Sequence, residues 1–291
     1  MSMENIPLQE IRAAAAPDVA MESSAIEKQR RLLASLGELD GLLVALSGGA
    51  DSAYLAWAAD RALGARGLAV TALSASFSRH DREQTEAFVR STGIRHEFIS
   101  TGEIENPLYV ANQADRCYHC KDELFERMRT LACERGFAAI AYGINADDTR
   151  DFRPGHRAAK ERQILAPLLD VLLGKQEIRL LSRRAGLITW DRPASACLSS
   201  RVPYGTPVTP EILAKIERGE DALRELGFRQ FRVRAHGELA SIELAQDELG
   251  RGQQREMTES IEARVKHAGF LQVTIDPLGY RQGSLNSLLK K

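Results

Sequence analysis

VALSGGADSAYLAWAA, residues 44–59, decides how the rest of the chain is read. An apolar run ends at Ser47, passes two glycines and enters a helical stretch at Asp51. Glycines at such a turn let the backbone approach a ligand closely, and the first helical N–H groups, unpartnered within the helix, point at it. Ser47 and Ser52 add hydroxyls, and Asp51 suits either a helix cap or a Mg2+ ion. The pattern is an anion cradle. It is neither the Walker loop, which needs a lysine after its second glycine, nor the G-x-G-x-x-G dinucleotide turn. A bare S-G-G also fits a plain strand–helix turn, so its surroundings must decide.

Outward from that turn, apolar runs GLLVAL (41–46), LAVTALSAS (68–76) and FAAIAYGI (137–144), with the shorter RHEFIS (95–100), alternate with helical stretches as far as Gly186. Uninterrupted strands joined by helices predict an α/β fold around a parallel sheet, with ligands beyond the carboxyl ends of its strands. YGINADDTRDFRPG (142–155) follows the third long run and lies on that same edge, so Asp147, Asp148, Asp151 and Arg153 become candidates for Mg2+ and phosphate.

The expected organisation is an N-terminal arm over 1–24, the α/β domain over 25–186, a connection over 187–207 and a smaller α+β domain over 208–291. The connection, LITWDRPASACLSSRVPYGTP, has three prolines and no period. Beyond it, Thr209-Pro210 opens a helix running to about Leu226. FRVRAHGELASIEL (231–244) reads as a hairpin about His236-Gly237, and a helix near 253–267 precedes the strand LQVTID. Alternation puts Arg232, Arg234 and His236 on one face of the hairpin, opposite Phe231, Val233 and Ala235. Paired guanidinium groups suit a phosphate or carboxylates, although the same alternation describes the wet face of an antiparallel sheet.

Bulk properties narrow the partners. A chain of 291 residues, 44% hydrophobic, has apolar mass for two cores, and a net charge of −1 creates no broad field for nucleic acid. No stretch approaches a membrane span, and Glu4 and Glu10 stand where a signal peptide carries lysines, so the expected location is cytoplasmic. Four cysteines are too few for a disulfide scaffold, which leaves thiol chemistry or metal ligation.

Cys117 and Cys120, in RCYHC, share one face at the start of a helix. A zinc knuckle would want a second close pair, and a redox dithiol a different strand–helix context. An iron–sulfur cluster can be held by three cysteines, the third then being Cys197, and the three readings compete. Cys133 sits among Met128, Leu131 and Ala132 and reads as a small core residue. Cys197 precedes Ser199, Ser200 and Arg201, and a nearby arginine favours the nucleophilic thiolate.

S-G-G-x-D-S after an apolar strand resembles the PP-loop of the ATP pyrophosphatases: the asparagine, GMP and NAD synthetases and the tRNA-thiolating enzymes. These grip the β- and γ-phosphates as a unit, so the α-phosphorus is attacked and pyrophosphate leaves. Taken with RCYHCK, YGINADDTRDFRPG, ACLSSRVPYGTPVT, RVRAHGELASIEL and DPLGYRQGSLN, spread in order from Ser47 to Asn286, it resembles the LarE family of PP-loop sulfurtransferases. The resemblance implies an adenine nucleotide alpha hydrolase-like (HUP-type) domain holding ATP through Ser47, Gly48, Gly49, Asp51, Ser52, Asp148 and Arg153, with Mg2+ on Asp51. It implies that the carboxylates of pyridinium-3,5-biscarboxylic acid mononucleotide, on the way to the nickel-pincer cofactor of lactate racemase, are adenylated and thiolated.

In one kind of member a cysteine at the place of Cys197 surrenders its own sulfur. In the other, two more cysteines join it around a [4Fe-4S] cluster, and Cys117 and Cys120 put this chain with the second kind. Ser200, Arg201, Glu220, Arg232, Arg234 and Glu243 fall at family-typical substrate positions, and symmetric homo-oligomers are expected. The sulfide donor is left open. A tRNA-thiolating PP-loop enzyme would need a basic surface; a nucleotide- or iron-sensing domain would bind ATP without releasing pyrophosphate; an amide-forming synthetase would leave the cysteines unexplained.

Overall fold

The computed structural model describes residues 8–150, 154–193 and 196–281, and their side chains except those of 8–18, 149 and 150. Four strands, β1 (Leu42–Ala45), β2 (Gly67–Leu73), β3 (His96–Ser100) and β4 (Ala139–Tyr142), form a parallel sheet in the order β3-β2-β1-β4. Alternate residues of β1 enter different cores. Leu42 and Val44 pack with α1 (Leu8–Gly37), α2 (Ala50–Leu63), Phe88 of α3 (Arg79–Thr92) and α8 (Lys175–Arg184). Leu43 and Ala45 pack with α5 (Arg116–Arg135) and α6 (Pro154–Glu161). The sheet is thus buried on both faces, as its uninterrupted apolar strands predict, and β3, whose sequence is mixed, is the half-buried edge.

Two short helices, α4 (Pro107–Val110) and α7 (Pro167–Asp170), complete this unit. Helix α1 runs unbroken through residue 24, so the expected arm and the start of the domain share one element. The strand order reverses between β1 and β4. Loops leaving the carboxyl ends of two such strands diverge and open a crevice.

The second unit has strands β5 (Phe231–His236), β6 (Leu239–Leu244) and β7 (Gln272–Ile275). β5 and β6 form the expected hairpin, from Phe231↔Leu244 to His236↔Leu239, and β7 joins β6 in parallel. Helices α9 (Pro210–Glu225), α10 (Gln246–Gly252) and α11 (Arg255–His267) accompany them. Thr209 caps α9, its hydroxyl accepting from the Ile212 amide at 3.3 Å, with Pro210 at the first helical position.

One expectation is corrected here. Cys133 is exposed, because the buried stripe of α5 is Leu124, Phe125, Met128 and Ala132, and residue 133 lies about 100° round the helix from Ala132. The arginine face of β5 is not wet: Arg232 and Arg234 are buried, and only His236 is exposed. The connecting segment is not structureless. Leu198–Arg201 form a 3-10 turn, and Leu198, Val202 and Val208 join Tyr109 of α4 in the second unit's core. That core therefore recruits residues from the first unit's stretch of chain.

Candidate active site

The glycine turn sits at the reversal. Gly48 has φ +79°, and a Cβ there would meet Thr85 Oγ1 at 2.8 Å, so only glycine fits without strain. Gly49 begins α2 with no side-chain cap, which leaves the first helical amides open to an anion. Ser47 and Ser52 hydroxyls lie 3.0 Å apart, and Ser52 donates to the Gly49 carbonyl at 3.1 Å, so both hydroxyls face the turn.

From the other side of the crevice, Gly143, just past β4, presses on α2. A Cβ at Gly143 would lie 2.8 Å from both Cα and N of Ser52. Asn145 donates to Asp51 Oδ2 at 2.9 Å, and the buried Asp148 accepts from the Asn145 amide at 3.4 Å and lies 3.6 Å from Lys175 Nζ. Asp51 and Asp148 thus belong to one cluster at the helix start. Asp147 instead accepts from the Lys175 amide at 2.7 Å, which ties its loop to α8. Asp151 and Arg153 lie outside the described residues. One or two carboxylates beside a phosphate site suit Mg2+, which keeps several waters and takes its other ligands from the phosphates.

The cysteine segment is fastened by long-range bonds. Leu198 donates to the Ser76 carbonyl in the loop after β2 at 2.9 Å. Tyr109 and Ser199 hydroxyls meet at 2.5 Å, and Arg116 Nη1 donates to the Ser199 carbonyl at 2.7 Å. The Asn112 side chain donates to the Pro203 and Thr206 carbonyls, each at 2.8 Å.

These contacts bring Cys197 to the start of α5. Burial pushes the Cys120 thiol well up, the Glu103 charge adds to it, and so do the neighbouring Cys197 and Cys117. Burial opposes the charge of Arg116, but Cys197, Cys117 and Tyr109 together raise its pKa on balance. Three thiols therefore share one electrostatic neighbourhood with a guanidinium beside them; Cys117 is exposed, Cys197 half-buried, and Cys120 packs against the second core. Among the described residues, no three His, Cys, Asp or Glu side chains converge on a point as a single metal ion requires. A cubane asks for something different, since each thiolate binds its own iron. The donor set suits it: three thiols from two segments, with an arginine to offset the anionic cluster.

Between α3, the connecting segment and β5 lies a cavity of about 100 Å³ lined by His80, Asp81, Arg192, Arg201, Glu220 and Arg232. Glu220, 2% exposed, accepts from Arg201 Nε at 2.8 Å and Nη2 at 3.0 Å. Burial works against the Glu220 carboxylate, yet the paired Arg201 holds its carboxyl below the usual range. Arg234 donates to Glu243 at 2.7 Å and to the Ser200 carbonyl at 2.7 Å. Burial, then the Arg201 charge, lowers Arg232. The six expected substrate residues thus form one neighbourhood, but Arg201 and Arg234 already have carboxylate partners.

The NAD synthase family model matches residues 27–145. An uncharacterized protein of Synechocystis is 42% identical over 93% of this chain and all of its own. The pyridinium-3,5-bisthiocarboxylic acid mononucleotide synthase of Lactiplantibacillus plantarum is 31% identical, over 91% of this chain and 95% of that protein. The chain belongs to the LarE family.

Family membership makes this LarE-type chain an ATP-using, sulfur-inserting transferase in general outline. No helix among the described residues is long and apolar enough to cross a membrane. Sequence reasoning passed over several residues around the site: Gly143, Asn145, Tyr109, Asn112, Arg116 and Arg192. Gly143 and Asn145 stood inside a quoted motif, and Arg116 abuts Cys117. Nothing local distinguishes Tyr109, Asn112 or Arg192, whose partners lie 90, 90 to 94 and 108 to 144 residues away.

Proposed function

We propose that this protein adenylates the carboxylates of pyridinium-3,5-biscarboxylic acid mononucleotide with ATP and replaces carboxyl oxygen by sulfur, using a [4Fe-4S] cluster held by Cys117, Cys120 and Cys197. A substrate carboxylate oxygen attacks the α-phosphorus and pyrophosphate leaves. Sulfur then attacks the acyl carbon and AMP leaves. The open amides at the start of α2, with the Ser47 and Ser52 hydroxyls, would bind the β- and γ-phosphates, with Asp51 and Mg2+ beside them. Arg201, Arg232 and Arg234 would receive the substrate's anionic groups, orienting a carboxylate toward the nucleotide. Bound to the three thiolates, the cluster would supply the labile sulfide.

The reading is carried by one observation: Arg116, beside Cys117 at the start of α5, bonds the Ser199 carbonyl, while the Cys197 segment hangs from the loop after β2, on the sheet edge that bears the phosphate turn. The product for which the Lactiplantibacillus relative is named, pyridinium-3,5-bisthiocarboxylic acid mononucleotide, supports the substrate. Anaerobic reconstitution, then incubation with MgATP and the biscarboxylate mononucleotide, should give AMP, pyrophosphate and thiocarboxylate with Cys197 at full mass. Protein that stays free of iron but loses the elements of H2S at Cys197, leaving dehydroalanine, would replace the cluster with sacrificial transfer. A salt-sensitive shift of tRNA, without thiocarboxylate, would favour the tRNA-thiolating alternative.

A further inference from the structure

Arg192 differs from Arg201 and Arg224, which line the same cavity. Arg201 and Arg224 reach Glu220, and Arg234 reaches Glu243. Arg192 donates through Nη1 to the Gly48 carbonyl and through Nη2 to Gln84 Oε1 at 2.6 Å. Both acceptors are neutral. Burial disfavours its charge, and Asp81 compensates only in part. A half-buried guanidinium without an ion-paired carboxylate lacks the compensation that buried charges ordinarily have.

Its position suggests what supplies the compensation. The guanidinium lies against the phosphate turn, close enough that a Cβ on Gly48 would sit 3.4 Å from Nη1. It also lines the cavity that contains Arg201 and Arg232. Its backbone is held apart from these contacts: the amide donates to the Thr189 carbonyl at 3.2 Å, and Arg179 Nη2 donates to its carbonyl at 3.1 Å. The side chain can therefore exchange a neutral carbonyl for a phosphate oxygen without moving the segment, and the charge-assisted bond is the stronger.

We propose that Arg192 is a further catalytic residue of the nucleotide site, binding the phosphates of ATP where pyrophosphate departs. The proposal rests on the ATP reading above. In the step it serves, the carboxylate oxygen bonds to the α-phosphorus, and the bond from that phosphorus to the bridging oxygen breaks. The electron pair leaves on pyrophosphate. Arg192 keeps its proton and offsets the charge gathering on that leaving group, as an arginine supplied within the same chain can. Because Arg192 lies five residues before Cys197, the same contact would hold the sulfur-bearing segment to the loaded nucleotide site.

The test measures AMP formation at saturating MgATP and mononucleotide, alongside calorimetric binding of a non-hydrolysable ATP analogue, for wild type, Arg192→Ala, Arg192→Gln and Arg192→Lys. Arg192→Ala should slow AMP formation about a hundredfold, with analogue affinity changing less than about tenfold. Arg192→Gln retains an N–H donor for Gly48 without the charge and should remain as slow. Arg192→Lys should recover part of the rate. Wild-type AMP formation in Arg192→Ala, or recovery by Gln equal to that by Lys, would overturn the proposal and leave the ATP reading standing. A wild-type protein that forms no AMP would overturn both. Should Arg192→Ala melt early, the contrast between the Gln and Lys variants decides.

Discussion

Gly143→Ala adds one methyl group and removes no functional group, yet it should damage the nucleotide site. The new Cβ would lie 2.8 Å from the Ser52 Cα and amide nitrogen and 3.0 Å from the Asp51 carbonyl carbon. All three are backbone atoms, so no side chain can swing aside. Restoring ordinary contact at 3.4 Å requires β4 and the start of α2 to part by about 0.6 Å. Overpacking of this kind costs about 1–3 kcal/mol, against about 0.4–1 kcal/mol gained by restricting the unfolded chain, so stability should fall by about 1–2 kcal/mol. A 0.6 Å shift also carries amides poised at about 2.9 Å from a phosphate beyond good hydrogen-bonding distance. Losing one charge-assisted bond of about 1.5–3 kcal/mol weakens ATP at least about tenfold. Urea unfolding and calorimetric titration with an ATP analogue measure the two effects. Gly37→Ala is the control: nothing lies within 4 Å of its Cβ position, so it should leave both unchanged or slightly raise stability. If Gly143→Ala matched wild type in stability and affinity, the close approach of β4 to the phosphate turn would be refuted.

Glu220→Gln should cost about 3 kcal/mol, since Arg201 would remain buried without its bidentate carboxylate. Arg201 lowers the Glu220 carboxyl despite burial, so this stability is complete above the usual carboxylate range and lost as pH falls through the lowered value. The variant should flatten that acid limb in urea unfolding followed across pH. Serine at Cys117, Cys120 or Cys197 should each reduce iron and sulfide content after anaerobic reconstitution, while the exposed Cys133→Ser should retain both and change stability by less than about 0.5 kcal/mol. Arg234→Ala should weaken mononucleotide binding, leave ATP-analogue affinity intact, and lower stability as its bonds to Glu243 and Ser200 are lost.

Features carried by contiguous residues were legible in the chain. The unbroken apolar runs of β1, β2 and β4 declared a sheet buried on both faces, and glycines at a strand–helix junction declared a tight turn on its carboxyl edge, where the first amides of α2 have no side-chain cap. Thr209-Pro210 marked a helix start, and the spacing of Cys117 and Cys120 put both thiols on one face. Such signals survive in sequence because side-chain direction along a helix or strand follows from local backbone geometry.

Tertiary structure decided what covers each face. Helical neighbours made Cys133 look buried, but the sheet meets a stripe of α5 that excludes it. Alternation in β5 could not reveal that the connecting segment would seal Arg234 beneath the Ser200 carbonyl. Nor could any period disclose Arg192 at Gly48, 144 residues away, or the Tyr109 and Asn112 contacts that draw Cys197 toward α5. Those contacts depend on how separately formed elements dock, a choice made by the summed packing of both cores rather than by the few residues that meet at the site.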